Sequence, residues 1–377
     1  MALSKIDSAN MIEDVPQSKI DNNINFRNII INGDMSIAQR GTSFTGVNDD
    51  DYTLDRFKYD ISGTDVYQFT ISQDTDVPTG QGFAKSMKFD CTTADTSLDA
   101  DNYAIIHTRI EGQNLQYLKK GTSNAESTTI SFWVKTNKTG TYIVELQDSD
   151  NNRVICKSYT VSSSSTWEKK TITYPGDTTG AFDNDNAASL RVNFWLLSGT
   201  AFTSGTLATD WESRTNANRA VGQVNLGDNT SNEWYVTGIQ LEAGSVASDF
   251  EFLPVDVNEN RCLRYFYQII SKTDTNSINA YGYYYSASNI KFPTRLPTQM
   301  RSAPTLEQSI ATNALRFYRD STYDGLSANF ALDGNGSGRY VSMYNSTDAS
   351  GTAGQAGHLY KYSPTQADSY IWLNAEL

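Results

Sequence analysis

Aromatic side chains at polar positions are the residues of this sequence best suited to hold a ligand. Trp195 shares the polar face of the alternating run 190–197, and Trp211 lies in the long polar segment 199–222. A flat ring can stack on the C–H groups of a sugar while nearby Asn, Asp and Thr side chains hydrogen-bond the hydroxyls. Trp195 and Trp211 are therefore candidate glycan-binding residues. The alternative is that each ring packs under a neighbouring loop or at a subunit interface.

A group of tyrosines in the last third of the chain has the same two explanations. Tyr281, Tyr283, Tyr284 and Tyr285 follow one another closely in a run that alternates like a strand. Tyr283 and Tyr285 are candidate glycan-binding residues on the same stacking argument. Burial of the group against a partner chain explains the pattern at least as well.

Glycoside hydrolysis would need two carboxylates roughly 5–10 Å apart on either side of a sugar. The pairs Asp249 with Glu251 and Asp183 with Asp185 each come from a single strand or turn. Nothing in the sequence brings a second carboxylate opposite either pair, and Asp in a turn is the simpler interpretation. We expect no catalytic residues, and we predict that the chain is not an enzyme.

The sequence does not indicate a metal or phosphate site. The run 148–152 begins like a calcium loop, but Arg153 stands where that loop requires Gly, and Tyr159 stands where it requires Glu. Three widely spaced cysteines and two distant histidines match no zinc motif. The glycines of 334–338 are interpreted as a hairpin loop, because no helix pattern follows them. We expect no metal ion and no cofactor; a loose calcium site on 49–51 stays open.

The acidic composition excludes two classes of partner. The net charge is −13, from 30 Lys and Arg against 43 Asp and Glu. A nucleic-acid backbone or an anionic bilayer surface is bound by a basic face, so neither is expected as a partner. The first residues lack the apolar stretch of a signal peptide, and no uncharged apolar run approaches the ~18 residues of a membrane span. The sequence predicts a soluble protein made in a reducing cytosol, without membrane insertion.

Alternation of apolar and polar residues predicts that 26–253 is all-β. The clearest alternating runs are 67–72, 130–136, 141–147, 190–197 and 234–241. Period-2 alternation with one polar face is typical of half-buried antiparallel strands. Many such strands with no helix between them favour a two-sheet sandwich, here interpreted as a jelly roll. The segment 199–222 is interpreted as an extended surface loop.

A change of pattern near residue 254 predicts a second domain, as the length of 377 residues allows. In 257–270, apolar side chains recur at three-to-four spacing, with Asn258 placed to cap, which predicts a linker helix. The runs 280–286 and 338–344 again alternate like strands. We interpret 254–377 as the linker helix followed by a smaller β-rich domain.

The first 25 residues differ from the rest of the chain. They contain no aromatic residue, and they repeat Ser-Lys-Ile-Asp at 4–7 and 18–21. A short duplicated motif in a polar tail can order on a partner. We interpret 1–25 as a docking tail, with coincidental repetition as the alternative.

Several short motifs occur in an order that resembles a known family. Residues 28–41 read Asn-Ile-Ile-Ile-Asn-Gly-Asp-Met-Ser-Ile-Ala-Gln-Arg-Gly, 55–57 read Asp-Arg-Phe, 240–244 read Gln-Leu-Glu-Ala-Gly, and 261–266 read Arg-Cys-Leu-Arg-Tyr-Phe. They resemble motifs of bacteriophage tail-fibre and virion structural proteins with a carbohydrate-binding-module-like jelly roll. Segments 290–293, 300–305 and 374–377 are similar to the C-terminal domain of such chains. The resemblance covers about 26–377.

The resemblance implies a virion component, displayed on a tail or a capsid as a homotrimer and made in the host cytoplasm. We expect 1–25 to dock to other virion proteins and the β-domains to recognise host cell-surface polysaccharide during adsorption. The chain has no long shaft repeat, which suits a short fibre or a capsid-attached fibre rather than a long tail fibre. Two other classes stay open: a virion-associated polysaccharide depolymerase, and a capsid decoration fibre without a ligand.

Overall fold

A computed structural model describes residues 26–63, 67–274, 276–334, 338–362 and 369–377. The predicted docking tail, 1–25, lies outside the described residues. The chain forms two compact units, the first ending at Leu253 and the second beginning at Pro254. None of the described helices combines the length and the apolar character that a bilayer crossing requires.

The strands of the first unit match all of its predicted alternating runs, although β4 begins one residue after the start of the run 67–72. They are β1 (Ser43–Phe44), β2 (Asp51–Tyr52), β3 (Lys58–Ser62), β4 (Gln68–Asp74), β5 (Ser86–Thr93), β6 (Tyr103–Glu111), β7 (Thr128–Thr136), β8 (Gly140–Asp148), β9 (Arg153–Val161), β10 (Glu168–Tyr174), β11 (Ala188–Ser198), β12 (Glu212–Ser213) and β13 (Glu233–Ala243). The helical segments are α1 (Thr200–Thr203) and single 3-10 turns at Gly112–Asn114, Gln116–Leu118, Asn216–Asn218 and Leu226–Asp228.

Two antiparallel sheets form a sandwich in the first unit. Among the described strands, one sheet has the order β1-β4-β5-β13-β7-β10, and the other has the order β12-β9-β8-β11-β6-β3-β2. The chain changes sheets often, for example between β5 and β6, between β6 and β7, and between β7 and β8. Most neighbours within a sheet are therefore distant in sequence. The all-β, antiparallel sandwich that the sequence predicts is confirmed.

Aromatic contacts across the two sheets fill the core of the sandwich. Phe132 of β7 meets Phe194 of β11 edge to face, with ring centroids 5.1 Å apart. Phe194 also contacts Trp234 of β13 at 6.1 Å, and Tyr59 of β3 contacts Phe89 of β5 at 5.8 Å. Such pairs add about 0.5–1.5 kcal/mol each to the free energy gained from burial of their area. The core therefore explains why one face of each alternating run is apolar.

The segment 199–222 is not the extended surface loop that the sequence predicts. It folds across the outer face of the sheet that contains β11, and it buries Phe202, Ala208 and Ala220 there. Its backbone is tied to β9 by the hydrogen bond from Cys156 N to Ala208 O, at 2.7 Å. The segment carries a few apolar residues at irregular spacing, so a periodic pattern could not show that it covers a sheet.

The motif 28–41 binds the start of the first unit to β13. The Asn28 side chain accepts from Leu241 N (3.1 Å) and donates to Ile239 O (3.1 Å). Gly33 packs so closely on the same strand that a Cβ there would lie 2.0 Å from Ile239 O. Asn32 holds Ile37 through both its amide and its carbonyl group, each at 2.9 Å. The residue types of this motif are therefore explained by its fold.

The second unit begins with the helix α2 (Val255–Leu263) and continues as strands. These are β14 (Phe266–Ile270), β15 (Ser277–Ser286), β16 (Asn289–Arg295), β17 (Thr305–Ser309), β18 (Leu315–Arg319), β19 (Thr322–Leu326), β20 (Ala331–Leu332), β21 (Tyr340–Asn345), β22 (Ala356–Lys361) and β23 (Tyr370–Asn374). Its described strands form a three-stranded sheet, β14-β23-β17, and a seven-stranded sheet, β19-β18-β22-β15-β16-β21-β20. The smaller β-rich region that the sequence predicts is confirmed.

The predicted helix over 257–270 is wrong in its second half. The helix α2 starts at Val255, directly after Pro254, so Asn258 lies inside it and does not cap it. The residues from Phe266 to Ile270 form a strand that pairs with β23. Phe266 and Ile270 are spaced like neighbours on a helix, but each is buried by a partner about 100 residues away along the chain.

Candidate functional site

The outer face of the seven-stranded sheet of the first unit carries a row of buried polar side chains. The pairing registers place Glu145 of β8 opposite Asn193 of β11, Asn193 opposite His107 of β6, and His107 opposite Lys58 of β3. Directly opposite residues in a sheet share a face. A row of ionisable and amide groups therefore crosses the middle of this sheet.

Glu145 is the centre of a buried hydrogen-bond network on this face. Its carboxylate accepts from Arg219 Nε at 2.8 Å and from Arg219 Nη2 at 3.0 Å. It also accepts from Asn193 Nδ2 at 3.0 Å and from Trp195 Nε1 at 2.9 Å. Burial by itself raises the pKa of Glu145, but the Arg219 charge and these hydrogen bonds outweigh burial and lower that pKa. The carboxylate is therefore ionised and fixed.

A second network joins His107 to its neighbours. Arg191 Nη2 lies 2.5 Å from Asp60 Oδ2 and 3.0 Å from His107 Nδ1, while Arg109 Nε lies 3.2 Å from His107 Nε2. Burial, followed by the charges of Arg191 and Arg109, lowers the pKa of His107 well below its ordinary value. Burial raises the pKa of Asp60 although Arg191 opposes it. The imidazole is therefore neutral, so only one of its ring nitrogens can accept a hydrogen bond, and it accepts from either Arg191 or Arg109.

These networks border a cavity of about 220 Å³. Its lining combines three arginines, two amides, one carboxylate, three aromatic rings and one isoleucine: Arg191, Arg214, Arg219, Gln147, Asn216, Asp60, Tyr103, Trp195, Phe202 and Ile105. A single water molecule needs only ~15 Å³ measured in the same way. The cavity therefore has room for a group as large as a sugar ring.

Several polar atoms beside this cavity have unused hydrogen-bonding capacity. Arg191 Nε, Asp60 Oδ1 and Asn193 Oδ1 are buried and make no hydrogen bond within the described residues. An unsatisfied buried polar group costs about 1–3 kcal/mol. A ligand that brought donors and acceptors into the cavity would relieve part of that cost.

Trp195 is not the exposed stacking platform that the sequence predicts. The predicted register is right, because Trp195 points away from the core that receives Val192 and Phe194. The side chain is nevertheless 0% exposed. Arg219 lies 4.9 Å above its ring and Phe202 packs 5.4 Å from it. The segment 199–222 covers the ring, so Trp195 supports the cavity wall.

Trp211 lies in a different place and is also held by its neighbours. The half-buried ring packs against the main core, and its Nε1 donates to Pro175 O at 2.9 Å. Lys120 Nζ sits 5.3 Å from the ring centroid. The cavity beside it measures about 20 Å³, which is space for roughly one water. The structure therefore does not bring Trp195 and Trp211 into one site.

Tyr283 and Tyr285 belong to the second unit and lie on an exposed surface. Alternation along β15 separates the tyrosine group: Tyr284 is buried in the core at 1% exposure, while Tyr281, Tyr283 and Tyr285 face outward. Tyr281 of β15 lies opposite His358 of β22. His358 in turn lies opposite Tyr318 of β18, and the two rings stack with their centroids 5.7 Å apart. We call this outer surface, formed by Tyr281, Tyr283, Tyr285, His358, Tyr318 and Tyr323, the tyrosine face.

Three of the acidic groups considered for catalysis or calcium, Glu251, Asp50 and Asp49, have structural partners. Glu251 accepts from Phe26 N at 2.7 Å and from Asn28 N at 3.0 Å. Asp50 pairs with Lys58 at 2.5 Å, and Asp49 accepts from Ile61 N at 2.9 Å. Over the described ranges, no three Asp, Glu, His or Cys side chains come together in a way that could hold a metal ion.

Sequence reasoning missed most of the cavity residues, although one signal was present. Glu145, Gln147 and Arg191 occupy polar positions of the two most regular alternating runs. Charged or amide side chains that alternate with core residues along a strand mark the opposite face of the sheet. Arg214 and Arg219 come from the irregular segment 199–222, and no periodicity marks them.

Comparisons with known proteins give structural likenesses of low identity. No protein-family model matches the chain, and no curated protein matches it. It is similar to the enzymatically active domain of tailspike protein 4 of bacteriophage CBA120, with 14% identity and a TM-score of 0.31 over 58% of this chain and 21% of that chain. The match therefore spans about a fifth of that tailspike chain.

Two further structures have similar values. A putative sugar binding protein from Bacteroides thetaiotaomicron has 11% identity and a TM-score of 0.31, over 57% of this chain and 99% of that chain. TmCBM61 in complex with β-1,4-galactotriose has 10% identity and a TM-score of 0.29, over 58% and 99%. At these identities and TM-scores, the likenesses assign neither residues nor a function to this chain.

Proposed function

We propose that this chain is a fibre protein of a bacteriophage virion, and that its first unit binds a glycan of the host surface. The observation that carries the binding function is the cavity of about 220 Å³ on the outer face of a sheet. It is lined by charged and amide side chains beside the half-buried ring of Tyr103, which is the mixture that sugar hydroxyls and C–H faces require.

The walls of the cavity are rigid, which favours binding. Glu145 fixes Arg219 through two hydrogen bonds, and Asp60 fixes Arg191 through a contact of 2.5 Å. Side chains that are already ordered lose little conformational entropy when a ligand arrives. Their remaining donors and acceptors can therefore contribute to affinity without first being immobilised.

The virion role is supported by the sequence resemblance over 26–377. Its most distinctive stretch, 28–41, packs along β13 and begins the sandwich. The expected partners, other virion proteins and host polysaccharide, follow from the same resemblance. We propose a binding role without catalysis, since Asp60 is the one carboxylate among the described residues that line the cavity, and glycoside hydrolysis needs two.

The binding function is tested by blocking the cavity from its rim. Asn216 lines the cavity and is exposed, so Asn216→Trp fills space there without disturbing the core. Asn124→Trp is the matched control, because Asn124 is exposed outside the cavity. We expect Asn216→Trp to weaken binding to purified host polysaccharide by tenfold or more, and Asn124→Trp to leave binding unchanged. Equal binding by both variants would contradict the proposed site.

The two alternative functions give different results in the same assay. Release of new reducing ends from host polysaccharide would show a depolymerase. Failure of the wild-type chain to bind any host polysaccharide or host cell would favour the third function, a decoration fibre without a ligand.

Deletion of 1–25 tests the docking tail separately. We expect the shortened chain to keep its melting temperature and to be absent from assembled virions. Normal incorporation of the shortened chain would contradict the docking role.

A further inference from the structure

We propose that the cavity of the first unit selects an acidic saccharide, one whose sugar ring carries a carboxylate. This inference rests on the proposed glycan-binding function and names the class of glycan. It is drawn from the pairing of charges around the cavity and from the donors left without acceptors there.

The cavity has more cationic groups than acidic partners to pair with them. Arg219 is paired with Glu145, at 2.8 Å, and Arg191 is paired with Asp60, at 2.5 Å. Arg214, the third arginine of the lining, makes no side-chain hydrogen bond or ion pair within the described residues. One positive charge at the cavity is therefore uncompensated, in a chain whose net charge is −13.

The surroundings of Arg214 strengthen the attraction for an anion. Burial, and after it the charge of Arg219, lowers the pKa of Arg214; Arg191 acts in the same direction, and Glu145 opposes them. A guanidinium that is crowded by like charges gains more from an incoming anion than an isolated surface arginine does. Because Arg214 is exposed at the rim, a ligand can reach it from solvent.

Arg191 supplies a second donor at the same cavity. Its Nη2 is used by Asp60, but its Nε is buried and has no acceptor within the described residues. The planar fork of a guanidinium matches the two oxygens of a carboxylate, and hydrogen bonds to a charged partner are about twice as strong as neutral ones. A carboxylate on the ligand therefore satisfies groups that the folded chain leaves unsatisfied.

The experiment compares glycans that differ only in charge. Binding of the full chain to oligogalacturonate and to sialyllactose is measured by calorimetry, each beside its own methyl ester, in which the carboxylate is neutral. We expect the acidic member of the recognised pair to bind about tenfold tighter, as one charge-assisted hydrogen bond predicts. We expect Arg214→Gln to remove that preference.

The control variant removes a positive charge elsewhere. Lys169 is exposed on β10, in the other sheet, so Lys169→Gln changes the net charge by the same amount and should keep the preference. Thermal unfolding of both variants shows that the fold is intact. Equal loss of preference in both variants would overturn the proposal, because net charge alone would then explain it.

The remaining outcomes separate this inference from the proposed function. Equal affinity for acidic and neutral members would overturn the selectivity and keep the glycan-binding function. Binding of dextran sulfate as tight as that of the carboxylated glycans, with the same dependence on Arg214, would overturn the choice of a carboxylate. Binding to none of these probes, together with no binding to host polysaccharide, would overturn both proposals.

Discussion

Glu145 joins two parts of the first unit that are far apart in sequence. It stands on β8, and its partner Arg219 comes from the segment 199–222. Removal of one member of a buried ion pair leaves the other charge unsatisfied and typically costs about 3–5 kcal/mol. The pair therefore fixes the segment on the sheet and, with it, the wall of the cavity.

Replacement of Trp195 should destabilise the first unit. The side chain is 0% exposed, donates to Glu145 and packs on Phe202. We expect Trp195→Ala to lower the free energy of unfolding by about 3–5 kcal/mol, as for other buried aromatic residues. Urea denaturation measures this change. Phe26→Ala, which removes a 57% exposed ring from the same unit, should change stability by less than about 0.5 kcal/mol. Similar small effects of both substitutions would contradict the burial of Trp195.

His107 should make stability depend on pH. Its folded pKa is lowered, first by burial and then by Arg191 and Arg109, whereas the unfolded pKa is about 6.5. As the pH falls below 6.5, the unfolded chain binds a proton that the folded chain does not, so the contribution to stability is full above 6.5 and is lost below it. The contribution of His107 to the slope of the unfolding free energy against pH is at most about 1.4 kcal/mol per pH unit.

The measurement is urea denaturation at pH 7.5, 6.5 and 5.5. We expect His107→Gln to reduce the loss of stability between 6.5 and 5.5. His358→Gln is the matched control, since it removes the other histidine and keeps His107. Asp60, whose raised pKa acts in the opposite direction, is present in both variants. An unchanged slope in His107→Gln would show that His107 takes up a proton in the folded state.

At the scale of elements, β13 contains a bulge that one glycine makes possible. The register between β13 and β7 shifts between Thr237 and Gln240, and Gly238 has a φ of 64°. A Cβ on Gly238 would lie 2.5 Å from the Phe83 ring. Phe83 packs in turn on Phe250, with ring centroids 5.1 Å apart. Through Phe83, the bulge therefore contacts Phe250, near the C-terminal end of the first unit.

Gly238→Ala tests the bulge, with Gly46→Ala as its control. Gly46 has a nearly equal φ of 62° and open space where a Cβ would go. We expect Gly46→Ala to cost about 1–2 kcal/mol for the left-handed backbone alone. We expect Gly238→Ala to cost about 1–3 kcal/mol more, because the Phe83 ring must also move. Equal losses in the two variants, measured by urea denaturation, would show that the ring does not constrain the bulge.

The elements that could be predicted from the sequence are those whose burial is local and periodic. The run 190–197 predicts a strand with Trp195 facing away from Val192 and Phe194, and the structure has that arrangement. The run 257–270 misleads, because Phe266 and Ile270 are buried by β23 and not by a helix neighbour. Spacing indicates which side chains are buried, and it does not indicate which distant segment buries them.

The candidate site was less predictable than the fold for the same reason. Glu145 and Arg191 could be placed on polar faces of strands. Neither run, however, indicates that β8 pairs with β11, which is the pairing that brings the two residues together. Arg219 comes from an aperiodic segment whose position over the sheet depends on the buried side chain of Phe202. A cavity formed between a sheet and such a segment cannot be derived from the local pattern.

At the scale of the whole molecule, each unit leaves one sheet face that its own core does not use. In the first unit, the segment 199–222 partly covers that face and leaves the cavity. In the second unit, the tyrosine face is open, with Tyr281 at 72% and Tyr285 at 62% exposure. Contiguous exposed aromatic residues are characteristic of surfaces that bind another protein, and Tyr is enriched in such interfaces. The sequence-based alternative, a glycan on Tyr283 and Tyr285, uses the same surface.

We predict that the tyrosine face holds three copies of the chain together. Tyr281→Glu would place a charge on that face in every copy, where burial of unpaired carboxylates is unfavourable. Light scattering at micromolar concentration should give three times the 41.8 kDa of one chain for the wild type and 41.8 kDa for Tyr281→Glu. Phe26→Glu, at an exposed ring of the first unit, should keep the trimer. A wild-type mass of 41.8 kDa would contradict the trimer. A trimeric Tyr281→Glu variant that has lost affinity for host polysaccharide would instead assign the tyrosine face to a glycan.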